Sequence, residues 1–164
     1  MPTPPPLPPD STTPLPRTRK GRPWLFLLLL VVGLSVAVIW SRRVAPVPDA
    51  LSGVITLRTA MSDASAHGKP VVAVFTADWC PPCQHYKRTT LADAEVAARL
   101  KQQTIAIHVD VDQDKESLQL VAGMGVKVSG IPTTVVIKDD RVVAFQPGAL
   151  SKSDLFALID QAVR

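Results

Sequence analysis

The chain has 164 residues, room for one domain with appendages, and a formal net charge of +4. That charge is local. Six of the 18 Lys/Arg but only one of the 14 Asp/Glu fall in residues 1–43, so the excess brackets an apolar stretch and gives no reason to expect nucleic acid. Two cysteines exclude a disulfide-stapled scaffold and a four-cysteine zinc site, and three scattered histidines (His67, His85, His108) add no metal cluster.

Residues 1–23 hold nine of the 16 prolines and almost no apolar mass, which predicts a disordered, polyproline-like tail. The stretch 24–40 carries no charge and has a tryptophan at each end, Trp24 and Trp40. As a helix it would span about 26 Å, near the lower limit for a bilayer. A cleaved signal peptide is the competing reading, with small residues at Ser35-Val36-Ala37. Against it, apolar sequence continues past Ala37, and Arg42-Arg43 follow. The expectation is an uncleaved transmembrane anchor. Four basic residues precede it and two follow, so the N-terminus stays in the cytoplasm and the C-terminal part is exported. Residues 41–50 read as a linker and 51–164 as the folded domain.

Within that domain, 52–57 reads as a first strand and 59–66 as a helix ended by His67-Gly68 and Pro70, with His67 exposed. The run 71–76 is apolar throughout, the pattern of a strand covered on both faces. A helix is predicted over 84–100, with a break at 89–92. Its inner face is Tyr86, Leu91, Val96, Ala97 and Leu100. In the strand 104–111, Ile105, Ile107 and Val109 share one face and His108 lies on the other. Asp110, Asp112 and Asp114 alternate as in a calcium loop, but the glycine and glutamate of that loop are missing, so they read as a strand end and a helix cap. A helix over 115–121 follows. Two β-rich runs, 133–138 and 141–145, joined by Asp139-Asp140, predict a tight hairpin. Ser151 or Ser153 caps a last helix whose apolar stripe is Leu155, Phe156, Leu158, Ile159 and Val163.

The chemistry centres on Cys80-Pro81-Pro82-Cys83, between the strand 71–76 and a helix start. Unpaired N–H groups and the positive dipole end of a helix favour thiolate on the first sulfur. The second cysteine, one turn on, can attack a mixed disulfide and release the partner. Pro81 at the first helical position costs little, whereas Pro82 should bias Pro81 away from helical geometry. His85 comes one residue too late for haem attachment. No cofactor is expected beyond the redox-active Cys80–Cys83 disulfide.

Trp79-Cys80-Pro81-Pro82-Cys83 resembles a thioredoxin active site. The longer stretch from Thr76-Ala77-Asp78 to Thr90-Leu91-Ala92-Asp93-Ala94-Glu95-Val96 resembles the C-terminal periplasmic domain of the thiol reductase DsbD. Val128-Ser129-Gly130-Ile131-Pro132-Thr133 is similar to the family's cis-proline loop. The resemblance covers 51–164 and implies an α/β thioredoxin fold: a mixed central sheet flanked by helices, here preceded by the Pro-rich tail and one transmembrane helix. It implies that Cys80 is the exposed attacking sulfur and Cys83 the shielded resolving one. It also implies that Pro132 is cis beside them, with Ile131 offering backbone to a substrate strand. Trp79, Pro81 and Pro82 complete the rim, with Gly148 allowing close approach. Two positions depart from the family. Val74 stands where it has a buried aspartate that takes the proton of the second cysteine, and Lys87 stands where the DsbD domain has an acid. Asp78 and His85 are the remaining candidates for proton transfer.

These readings imply a thiol–disulfide oxidoreductase of the bacterial inner membrane, single-pass, its domain in the periplasm, reducing or isomerising disulfides of exported proteins. With no cysteine in the span it needs a separate membrane electron donor, such as a DsbD-like protein. A disulfide oxidant on the same fold, or a non-catalytic partner-binding module, are the alternatives.

Overall fold

The structure, a computed structural model, describes residues 23–41, 44–53 and 56–164. It divides into two compact units, Met1–Arg43 and Val44–Arg164. In the first, helix α1 runs Pro23–Ser41. Every side chain described on it, from residue 24 to residue 39, is exposed. Among the described residues no helix is long and apolar enough to cross a membrane. The expected span over 24–40 is therefore present as a helix and goes no further on these grounds. The Pro-rich tail up to Arg22, and Arg42-Arg43, lie outside the described residues.

The second unit is built on a four-stranded mixed sheet in the order β2-β1-β3-β4. Strand β1 (Val71–Thr76) pairs parallel with β2 (Ile105–Asp110) and antiparallel with β3 (Thr133–Lys138). Strand β4 (Arg141–Pro147) closes the hairpin on β3, with a register shift at Val136/Ile137. Asp139 and Asp140 both take positive φ, 50° and 58°, as a two-residue hairpin turn of matching twist requires. Because successive side chains alternate faces, β1 feeds two cores. Val72 and Val74 pack with Tyr86, Leu91, Val96, Leu100, Leu155 and Ile159. Ala73 and Phe75 pack with Leu57, Ala60, Ala64, Ile107, Val109 and Val121. Helices α3 (Pro81–Arg88), α4 (Ala94–Gln103) and α6 (Lys152–Val163) thus cover one face, and α2 (Leu57–His67) and α5 (Lys115–Gly123) the other.

The expected strand over 52–57 is not found among its described residues: Ser52, Gly53 and Thr56 are in no strand. Thr56 caps α2, its hydroxyl accepting from Thr59 N–H, and Leu57 is already helical and buried. Val54 and Ile55 lie outside the described residues. The break after α3 lies at Thr89, followed by a 3₁₀ turn at Thr90–Ala92. Asp93 then caps α4, Oδ1 accepting from the N–H of Glu95 and Val96. On α6 the N-cap is Ser151. Ala162, not Val163, completes its buried stripe, and Val163 is exposed.

Candidate functional site

Strand β1 delivers the chain to one end of the sheet, and Ala77 is still buried beyond it. Two exposed residues later, Cys80 takes an extended conformation as N-cap of α3. Its Sγ accepts a hydrogen bond from Cys83 N–H at 3.2 Å, which satisfies one orphan donor of the helix start. Pro81 opens the helix despite Pro82, because φ near −65° suits the first turn and that N–H has no helical partner. Cys80 and Cys83 are disulfide-bonded, their Cα atoms 5.3 Å apart. Here one expectation fails. Cys80 is only 2 % exposed against 0 % for Cys83; Ile131 and Val111 pack over the pair.

The Ile131–Pro132 peptide bond is cis, and the Ile131 carbonyl oxygen lies 3.7 Å from Cys80 Sγ. The loop is held from both sides. Thr133 Oγ1 donates to the Gly130 carbonyl at 2.7 Å, and Gly148 N–H donates to the Pro132 carbonyl at 2.8 Å. Gly148 does not serve close approach, since a Cβ there would meet nothing within 4 Å. It is needed because its φ is +93°, a conformation that side chains disfavour.

Trp79 stands out from the domain, 69 % exposed. Its indole N–H donates to Asp112 Oδ2 at 2.7 Å, a rim contact that the sequence reading missed. The aspartate alternation resolves into local jobs. Asp110 Oδ1 accepts from the N–H of Asp112 and Gln113, and Asp114 caps α5 at Ser117. Among the described residues no group of three or more His, Cys, Asp or Glu could hold a metal ion.

Behind the disulfide, Val74 is fully buried and pairs with His108 and Thr134 in the neighbouring strands. The Lys87 side chain is 1 % exposed, and its Nζ lies 3.8 Å from Asp78 Oδ1, itself 57 % exposed. His108 shares a 2.6 Å hydrogen bond with Thr76 Oγ1. Its pKa is lowered, first by burial and then by the Lys87 charge; Asp110 and Asp78 pull the other way. Burial pushes the Tyr86 phenol up to about 12, opposed by the nearby Thr134 hydroxyl. Those two hydroxyls complete no hydrogen bond among the described residues. Of the two proton-transfer candidates, Asp78 sits beside Lys87, whereas His85 is exposed on the far side of α3 from buried Cys83 and Lys87. Lys87, which the sequence marks as a departure from the related domain four residues after Cys83, is thus a buried cation, and His108, expected on the other face of its strand, is half-buried beside Thr76.

Gln84 is a residue of the site that the sequence reading did not single out. Its amide donates to the carbonyls of Ala77 and Asp78 at 3.3 and 3.1 Å, and its Oε1 accepts from Ala45 N–H at 2.5 Å. One side chain thus ties the turn before the cysteines to the segment after residue 43, in which Ala45, Ala50 and Leu51 are buried.

A family model for thioredoxin-like domains matches residues 57–163. The thioredoxin of Rhodospirillum rubrum is 34 % identical over 89 residues, covering 54 % of this chain and 78 % of that protein. The thiol:disulfide interchange protein DsbD of Vibrio vulnificus is 36 % identical over 66 residues, 40 % of this chain but 11 % of that protein. Among solved structures, a thioredoxin from Thermus thermophilus superposes with a TM-score of 0.54 at 27 % identity, covering 64 % of this chain and 82 % of that one.

Proposed function

The chain belongs to the thioredoxin-like family, and we propose that it is a thiol–disulfide oxidoreductase working through Cys80 and Cys83, in the reducing direction. The observation that carries the reading is the placement of Cys80 Sγ. It sits at the N-cap of α3 and 3.7 Å from the Ile131 carbonyl, beside a cis proline. In the reduced protein the Cys80 thiolate attacks one sulfur of a substrate disulfide. That S–S bond breaks, the first substrate sulfur leaves and is protonated, and a mixed disulfide to Cys80 remains. Cys83 then attacks Cys80 Sγ, the Cys80–Cys83 bond forms, and the second substrate thiol departs. Two electrons have passed to the substrate, and the oxidised pair is the state seen here. Because Ile131 and Val111 pack over the two sulfurs, a substrate reaches Cys80 by displacing one of those side chains, where the Ile131 backbone can pair with an extended segment.

The reading extends to place. The uncharged run 24–40 with a tryptophan at each end is the sequence feature behind a single-pass anchor in a bacterial inner membrane. The charge asymmetry around it supports a periplasmic domain. Its substrates would be exported proteins with disulfides, and a DsbD-like membrane protein would be the electron donor.

One observation favours the oxidant instead. A buried positive charge at Lys87 stabilises thiolate, and stabilising the reduced form raises the potential. Insulin reduction with a Cys80→Ala control tests the activity. The Cys80–Cys83 potential tests the direction: a value near −270 mV supports the reductase and one near −120 mV the oxidant.

A further inference from the structure

Lys87 is a buried charged group that the catalytic steps above do not use. Its side chain is 1 % exposed. A buried ammonium is kept only where something compensates it. Among the described residues the carboxylate paired with it is Asp78, at 3.8 Å, beyond hydrogen-bond reach and 57 % exposed. Stability alone would favour an apolar residue here, and a strongly placed buried charge in a redox centre points to function.

The geometry says which atom it serves. Lys87 is four residues after Cys83 on α3, so both occupy one face, and both are buried. Helix side chains lean toward the N-terminus. To bring Nζ to Asp78, two residues before the cap, the lysine must run past Cys83. On its other side the ammonium acts on His108 of β2, the strand partner of Val74.

We propose that Lys87 is a positioning residue for Cys83, its ammonium holding the resolving sulfur as thiolate for attack on Cys80. The proposal deepens the oxidoreductase reading and rests on it for the role of Cys83. The groups that face this pair decide the sign. Tyr86 on α3 stays neutral at physiological pH, its phenol pushed up to about 12. His85 and Arg88 on the same helix are exposed. His108 favours its neutral form, and Asp110 lies at the strand end. Asp49, from the segment beside α3, is exposed in the crevice that Lys87 also lines. The apolar residues packed on the disulfide, Ala77, Val111 and Ile131, bring no charge of their own. The carboxylates nearby are in or near water and are screened, whereas the lysine is buried and is not. The positive term therefore wins at the sulfur, and it does so where Val74 leaves no acid to take the proton.

The test uses the full chain in detergent, with Cys80→Ser so that Cys83 titrates alone. Thiolate absorbance in the ultraviolet is followed against pH. Replacing Lys87 with Met should raise the midpoint by about one unit or more, an approximately tenfold loss of thiolate at neutral pH. Lys87→Arg should restore most of it, which a purely structural lysine would not predict. An unmoved midpoint in folded Lys87→Met overturns the proposal. Should Lys87→Met fail to fold, Cys80→Ser alone decides. Burial by itself raises a thiol, so a Cys83 midpoint above about 8.5 would also overturn it, and a midpoint below supports it. No substrate enters this titration, so inactivity toward insulin would sink the oxidoreductase reading and leave this measurement standing.

Discussion

The two sulfurs differ in their surroundings. Cys80 faces the Ile131 carbonyl and receives the Cys83 N–H; Cys83 shares the buried face of α3 with Lys87, four residues on. If Cys80 attacks and Cys83 releases, Cys83→Ser should stall at the mixed disulfide, because the local thiol that outcompetes solution thiols is gone. On a non-reducing gel of membranes, discrete bands should appear, collapse with dithiothreitol and vanish in Cys80→Ser/Cys83→Ser. Trapping by Cys80→Ser alone would reverse the roles. His108 makes a separate prediction. Its folded pKa is lowered, chiefly by burial, so the unfolded chain binds the extra proton. The stability it contributes is present above the unfolded value of about 6.5 and is lost as pH falls toward the folded one. Urea unfolding across that window should show the decline, and His108→Gln should flatten it. A His108→Gln slope equal to wild type would remove histidine from the account.

Among the elements, the site depends on backbone held at three places: the N-cap of α3, the cis-proline loop, and the end of β4. Gly148 links the last two, since its N–H fixes the Pro132 carbonyl. Gly148→Ala should destabilise the domain by about 1–2 kcal/mol through its φ alone, because a Cβ there meets no atom within 4 Å. Urea midpoints at constant slope measure this. A change below about 0.3 kcal/mol, inside the ordinary surface range, would mean that the left-handed conformation is not maintained. Gln84 ties the turn at Ala77-Asp78 to Ala45, so the segment after residue 43 is part of the active-site scaffold.

For the whole chain, the open matter is where the domain resides. The proposed anchor predicts that alkaline phosphatase fused after Arg164 is active, because that enzyme needs an oxidising compartment for its disulfides. An inactive fusion, or a mature soluble protein that begins near Val38, would reject the anchor or its orientation. The charge distribution agrees with this placement, since the cations concentrate before the apolar helix.

Much of the fold was legible because its signals are local. The apolar run of β1, the hairpin at Asp139-Asp140, the break before Asp93 and the Ser151 cap each follow from periodicity or from a residue's own backbone preference. The cysteine spacing likewise named the pair that is disulfide-bonded, and the proline expected to be cis is so. What stayed hidden depends on contacts between segments far apart in sequence. The burial of Cys80 comes from Ile131 and Val111, and the partner of Trp79 is Asp112, thirty-three residues on. The strand expected at 52–57 gave way at Thr56-Leu57 because a hydroxyl cap and a core position for Leu57 outweighed the β-branched run before them. Lys87 shows the same limit most sharply. The sequence marks it as a cation where the related domain has an acid. That it is buried is decided by packing alone, because a side chain's dielectric surroundings are set by what folds over it and not by its neighbours in the chain.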